Sequence, residues 1–205
     1  MKSISAIVVA LSVLQGSATA LANEENGGAI QYSYAEAGIA APFGSGDPTL
    51  SLRGSFDIGR GIYVIGSYAR QEIGRSSYQW IEAGGGYHLK FPWAEVPGQL
   101  DAIASVSLAH DSVDYNSRSG CCDTSSSDVG LAVRAGARWL VPSEWTAGRQ
   151  LEATAYAQIR SSDIVGRFSL HSEARYHFTD QMSVGVGLNS GDVGDGARIS
   201  LRFAF

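Results

Sequence analysis

Along most of the chain, apolar residues recur at every second position rather than every third or fourth. Between residues 50 and 58, Leu50, Leu52, Gly54, Phe56 and Ile58 alternate with Ser51, Arg53, Ser55 and Asp57. Residues 129–141 set Val129, Leu131, Val133, Ala135, Ala137, Trp139 and Val141 against Gly130, Ala132, Arg134, Gly136, Arg138 and Leu140. In 150–160, Leu151, Ala153, Ala155, Ala157 and Ile159 oppose Gln150, Glu152, Thr154, Tyr156, Gln158 and Arg160. In 164–178, Phe168, Leu170, Ala174, Tyr176 and Phe178 oppose Arg167, Ser169, His171, Glu173, Arg175 and His177. Met182, Val184, Val186 and Leu188, and then Ile199, Leu201, Phe203 and Phe205, repeat the spacing. A period of two puts each set on one face of a β-strand. Further strands are expected at 30–40, 62–72, 78–90 and 99–111. In 30–40, placing Glu36 on the polar face carries Tyr32 and Tyr34 there too. Turn-forming stretches separate the segments, the longest at 112–127, so the expected fold is all-β with ten strands, eight being the alternative.

Two architectures use alternating strands: a soluble sandwich with one wet face, and a closed up-and-down antiparallel barrel in a membrane. Runs of about 9–13 residues match a tilted spanning strand, which needs ~9–11, better than the ~5–6 of soluble sheets. Trp139, Trp145, Trp93, Phe91, Tyr176, Phe178, Phe203 and Phe205 gather near strand ends, as in the aromatic girdles of transmembrane barrels. Closure also removes the sheet edges that lipid could not satisfy. The barrel is therefore the expected architecture.

Composition sharpens this picture. The 205 residues include 44% hydrophobic and 17% charged positions, which excludes a disordered chain. Acids outnumber bases by 20 to 15 and no basic block occurs, which argues against a nucleic-acid partner. Lysine occurs only at Lys2 and Lys90, so nearly all positive charge is arginine. Guanidinium is always charged and carries a fork of donors, which suits enclosed ion-pair networks. At the start, Lys2, the apolar run Ile4–Leu14 and Ala20-Leu21-Ala22 form a secretory signal pattern with cleavage expected after Ala22. The apolar run is too short for a spanning helix, which needs ~20 residues. Residues 23–205 then form one exported domain.

The ending Ile199-x-Leu201-x-Phe203-x-Phe205 resembles the terminal assembly signal of bacterial outer-membrane β-barrels, with Phe203 and Phe205 as its aromatics. Three stretches are similar to the diffusible-signal-factor-regulated family of small outer-membrane proteins. They are Tyr32-Ser33-Tyr34-Ala35-Glu36-Ala37-Gly38, Ser67-Tyr68-Ala69-Arg70-Gln71-Glu72, and Trp80 followed by Gly84-Gly85-Gly86-Tyr87. The resemblance implies a Gram-negative outer-membrane protein with both termini in the periplasm, inserted by the barrel assembly machinery with periplasmic chaperones. Outer-membrane lipid and lipopolysaccharide are its implied partners, and it is expected to be a monomer. The class includes adhesins, narrow pores and lipid-modifying enzymes, so the fold does not choose among them.

The inward faces bring together Arg53, Glu82, Asp101, Arg134, Arg138, Glu152, Arg160, Arg167, Glu173, Arg175, Arg198 and Arg202, with Glu36 or Asp57 as possible additions. Such a set lines a channel or braces a packed lumen. Barrels of about eight strands are just filled by their side chains, whereas wide channels need about 16–18, so the braced lumen is expected. Small inward residues (Ser105, Ser107, Gly130, Gly185, Gly187) leave room for a wet seam. A narrow, weakly anion-selective pore is the second reading, because arginine exceeds acid in this set.

His171, Glu173 and His177 share a face, but residues six apart on a strand are ~20 Å apart, so both histidines cannot hold one ion. No metal or cofactor is expected. His110-Asp111-Ser112 resembles the His-x-Ser element of outer-membrane lipid A deacylases, although Val113 stands where that pattern has Asn. Its orienting acid would have to be Asp123 or Asp128, and a lipid A hydrolase is the third reading. Cys121 and Cys122 sit in the longest loop, where export permits a disulfide. Adjacent cysteines close only a strained ring, so a loop staple, a crosslink to another chain and free thiols stay open. Gly84-Gly85-Gly86 lacks a following GK[ST] and helix, so close strand approach explains it better than phosphate binding. No catalytic centre is expected; the role expected is structural or interactive.

Overall fold

The computed structural model describes residues 30–44, 46–91, 96–115, 124–162, 168–191 and 195–205. The expected signal peptide, Trp93, Cys121, Cys122, Asp123 and Arg167 lie outside these. Ten antiparallel strands follow in chain order: β1 Tyr34–Pro42, β2 Thr49–Gly59, β3 Ile62–Ile73, β4 Ser76–Lys90, β5 Gln99–Tyr115, β6 Thr124–Val141, β7 Gln150–Arg160, β8 Phe168–His177, β9 Met182–Gly191 and β10 Gly196–Ala204. Each pairs with its neighbours in sequence. β1 then pairs with β10, from Tyr34↔Ala204 to Pro42↔Gly196, and closes the barrel. Closure leaves no continuous open edge around the wall.

The two faces of the wall follow the alternation. On β6, Leu131 and Val133 are exposed while Ala132 and Arg138 are buried. On β2, Leu50, Leu52, Phe56 and Ile58 all point outward and are exposed. The outer surface carries a continuous apolar belt, on β5 for example from Leu100 to Leu108. That stretch measures about 26 Å along the strand at ~3.3 Å per residue. With a strand tilt of ~40° it covers roughly 20 Å of barrel height, close to the ~25 Å apolar band of membrane barrels. Those of the expected aromatics that are described cluster at the end of the barrel where the described chain ends emerge, called here the terminus end. Trp139 and Trp145 meet edge to face at 6.1 Å, and Phe203 and Phe205 lie 6.5 Å apart.

Three strands are longer than expected, and the reason is chemical. Ser112–Tyr115 and Thr124–Ser127 were expected as loop, yet they pair in register, Ser112↔Ser127 through Tyr115↔Thr124. β4, β5 and β6 thus rise past the belt at the end opposite the termini, the distal end. Their outward residues there are Ser77, Gln79, His110, Ser112, Asp114, Ser125 and Ser127, which suit water rather than lipid. Polar residues on the outer face remove most of the apolar alternation that reveals a strand. The N-terminal stretch departs in the other direction. Residues 30–33 do not join the sheet, and β1 begins only at Tyr34.

Residues 30–33 turn into the terminus-end mouth instead. Ile30 and Tyr32 pack against Tyr63 and Leu140, with Ile65 and Ile103 at the margin. The Tyr32 ring stacks on His88 at 3.7 Å and on Tyr63 at 5.6 Å. Its hydroxyl donates to Asp101 Oδ2 at 2.9 Å, and Arg138 Nη1 donates to the Gln31 carbonyl at 3.1 Å. Burial pushes the Tyr32 phenol well above its ordinary pKa; Arg138 lowers it and Asp101 raises it further. Phe205 N–H donates to the Ser33 carbonyl at 3.1 Å, so the stretch before β1 is tied to the residue after β10.

Candidate functional site

Inside the barrel, several of the described inward charges form ion pairs, and Glu36 stands at the centre of one cluster. β1 holds Glu36 between Arg202 of β10 and Arg53 of β2, its direct cross-strand partners. Its carboxylate accepts from Arg175 Nη2 at 2.7 Å, Arg198 Nη2 at 2.7 Å and Arg202 Nε at 2.9 Å. Arg53 approaches at 3.9 Å. Arg175 pairs also with its strand neighbour Glu173, which Arg198 and Arg202 approach at 3.7 and 3.8 Å. Glu152 of β7 takes a forked pair from Arg138 Nη2, at 2.8 and 2.9 Å, and a bond from Arg202 Nη1 at 3.3 Å. Arg202 therefore links Glu36 on one wall to Glu152 on another. The Arg202 guanidinium also covers the Tyr34 ring at 4.0 Å.

A second cluster occupies the distal half between β4 and β7. Glu82 binds both Arg134 and Arg160, and Arg160 Nη1 donates to Asp111 Oδ1 at 3.0 Å. Gln158 completes it, accepting from Arg134 Nε at 2.8 Å. Asp101 stands apart: its partners are Tyr32, Gln99 and His88 rather than an arginine.

Sequence reasoning placed most of these residues but miscounted the charge. Glu36 was only a possible addition and proves central. Asp111 was missed because it was read as the middle of His110-Asp111-Ser112. Strand alternation turns it inward, fully buried, while its two neighbours face out. Among the described residues, Arg53, Arg134, Arg138, Arg160, Arg175, Arg198 and Arg202 share the inner side of the wall with Glu36, Asp57, Glu82, Asp101, Asp111, Asp128, Glu152 and Glu173. The expected arginine surplus thus gives way to near-balance. Two glycines make room for the long side chains. A Cβ at Gly38 would lie 2.7 Å from Arg198 Nε, and one at Gly185 would lie 2.9 Å from Arg175 Nη2.

The lumen is not filled throughout. A cavity of about 290 Å³ opens toward the distal end, lined by Ala40, Thr49 and Gln71 near its mouth and by Arg53, Tyr156 and His171 deeper down, and it ends against Tyr32, Arg138 and Arg202 in the terminus half. Tyr156 and His171 stack at 4.7 Å. Of the small residues expected to leave a wet seam, Ser105 and Gly187 border this space. Gly130 and Gly185 are crowded by Ser161 and Arg175.

The other candidates fall apart or stay outside. His110 and Ser112 share the outer face of β5, but Asp128 lies on β6 directly opposite the inward Asp111 and so faces the other side of the wall. Asp128 therefore cannot orient His110. His171 is held by Tyr156 and by Ser169 Oγ at 3.0 Å, whereas His177 Nε2 lies 3.6 Å from Glu152. Among the described residues, no group of three His, Cys, Asp or Glu side chains has a metal-binding arrangement. In the glycine run, a Cβ at Gly86 would meet the Tyr63 hydroxyl at 2.5 Å, so close packing accounts for that residue. Phe203 and Phe205 end the chain pointing outward and exposed.

No protein-family model and no curated protein matches the sequence. Among solved structures, the N-terminal β-barrel domain of Pseudomonas aeruginosa OprF is similar at 14% identity and a TM-score of 0.43, over 85% of this chain and 98% of that one. The KdgM porin is similar at 8% identity and a TM-score of 0.47, over 84% and 99%. Ail, the attachment invasion locus protein of Yersinia pestis, is similar at 11% and 0.36, over 85% and 100%. What is established by the chain's own register is a closed, ten-stranded, all-antiparallel β-barrel.

Proposed function

We propose that the protein is an integral barrel of the bacterial outer membrane whose charged lumen braces the wall instead of conducting, with a structural or surface-interaction role. The observation that carries this reading is Arg202, which ties Glu36 to Glu152 across the terminus half of the bore. Beneath it, Ile30 and Tyr32 occupy the mouth. The apolar belt supports lipid insertion, and the polar rise of β4–β6 supports a distal end facing outside, with the termini in the periplasm. Membership of the diffusible-signal-factor-regulated family is supported by three short stretches, which fall on β1 with the residues before it, on β3 and on β4.

The open distal cavity favours the narrow pore as second reading, but a pore needs the terminus half to open as well. Near-balance of lumen charge also removes the reason for even weak anion selectivity. Liposome swelling tests the proposal: vesicles holding the refolded protein should not swell in isotonic solutions of small sugars. Rapid swelling in arabinose or glucose would make the protein a pore.

A further inference from the structure

The ion-pair network is close to neutral, but it is polarised across its depth. Glu36 and Glu82 show only 0% and 1% of their side-chain surface, pressed toward the wall behind their partners. Arg53 shows 25%, and Arg134 and Arg198 show 15% each. All three arginines line the distal cavity, around the stacked Tyr156 and His171. Glu36, Asp111 and Glu152 do not reach it; Glu82, Glu173 and the rim residue Asp195 are the acids that do. Glu173 shows 13%, so the three arginines outweigh the exposed acid on the wetted floor, although the protein as a whole is acidic.

Arg53 is the least committed of these groups. Its Nη2 donates to the Tyr156 hydroxyl at 3.3 Å, and its ion pair with Glu36 is long, at 3.9 Å. Glu36 is already served by three closer guanidinium groups. The Arg53 fork thus keeps donors free for a guest, in a space with reduced dielectric where a charge-assisted bond is strong. Planar guanidinium groups recognise carboxylate and phosphate by paired donors. The cavity volume of about 290 Å³ limits the guest to roughly one sugar ring.

We propose that the distal well is a binding site for a small oxyanion-bearing solute, a carboxylate or phosphate no larger than one acidic monosaccharide. Arg53 is its principal ligand, Arg134 and Arg198 supply the surrounding field, and Tyr156 forms a flat wall. The inference rests on the membrane-barrel reading only for which solutes would reach the well. Binding itself needs only the folded chain, and it neither requires nor implies a through-channel.

Calorimetric titration of the full-length mature protein in nanodiscs tests this, with glucuronate, inorganic phosphate and glucose as probes. Glucuronate or phosphate should bind in the millimolar range or tighter and weaken at high salt, while glucose should not bind. Glucuronate alone binding points to a sugar acid; equal binding of both points to the oxyanion only. Arg53→Ala should weaken binding about tenfold. Arg134→Gln, which leaves Glu82 with Arg160, is the second variant and should weaken it less. Arg70→Ala on the outer wall should change nothing. No anion binding by folded protein, or binding equal in wild type, Arg53→Ala and Arg134→Gln, would overturn the proposal. Swelling activity is scored separately, so failure here leaves the sealed-barrel reading intact.

Discussion

Replacing Glu36 by Gln removes the charge on which the lumen network converges while keeping the side chain's shape. A charge pair about 4 Å apart contributes about 4 kcal/mol at an effective dielectric of about 20. Three guanidinium nitrogens at 2.7, 2.7 and 2.9 Å therefore give a gross attraction on the order of 10 kcal/mol. Desolvation of a fully buried carboxylate takes back several kcal/mol. What decides the variant is the state of the cations left behind. Arg175 retains Glu173 and Arg202 retains Glu152, but Arg198 keeps as ionic partner only Glu173, at 3.7 Å, and Arg53 loses its approach to Glu36. The net loss should be about 3–5 kcal/mol, the range for breaking a buried pair from one side. Urea unfolding in phospholipid vesicles, followed by tryptophan emission and by heat-modifiable gel mobility, measures it. Glu173→Gln, at a more exposed carboxylate, should cost clearly less. A Glu36→Gln barrel as stable as wild type, within about 0.5 kcal/mol, would refute the idea that the network braces the wall.

The wall register makes a second prediction: Val133→Arg, in the outer belt, should cost about 2–4 kcal/mol in the same assay. Ala132→Ser should be nearly neutral, because its cross-strand partner Ser107 has a buried hydroxyl with no hydrogen-bond partner; the reverse order would mean a one-residue slip. Topology is tested by a cleavable tag at Gly120, between β5 and β6, which protease should digest on intact cells. A tag at Thr146 should be protected there. Burial of Tyr32 predicts that its contribution to stability is constant up to about pH 10, the ordinary value for a phenol, and is lost as the pH rises further. Alkaline unfolding of Tyr32→Phe should lack that part of the loss, and identical alkaline profiles would contradict it.

Much of this molecule was legible in alternation alone. β2 and β6–β10 carry an apolar residue at nearly every outward position, so the face assignment and most of the inward charges followed directly. The first strand did not follow: its register stayed open, and residues 30–33 leave the sheet before Tyr34. Two further parts stayed hidden for physical reasons. The tips of β5 and β6 stand in water on their outer face, so Ser, Thr and Asp replace the apolar signal. The inward Val113, alternating with Ser112 and Asp114, was the available clue. The other part was long-range pairing. Nothing local to Glu36 announces that Arg175 and Arg198 reach it from β8 and β10. Asp111 was obscured by a motif whose flanking residues face the other way. Tyr32 continued the alternation of β1, but whether its ring enters a sheet or a mouth depends on Asp101 and Arg138 far along the chain.

The claim that joins fold to function is closure of the terminus half of the lumen by Arg202, Glu36, Glu152 and the inserted Tyr32. Single-channel recording in a planar bilayer tests it most directly, with refolded wild-type protein at symmetric salt. The account predicts rare, small conductance events or none. Stable open-channel currents comparable with those of a general porin would contradict it; if such currents also preferred anions, and Arg134→Glu with Arg138→Glu reversed the preference, the charged lumen would be a conducting path.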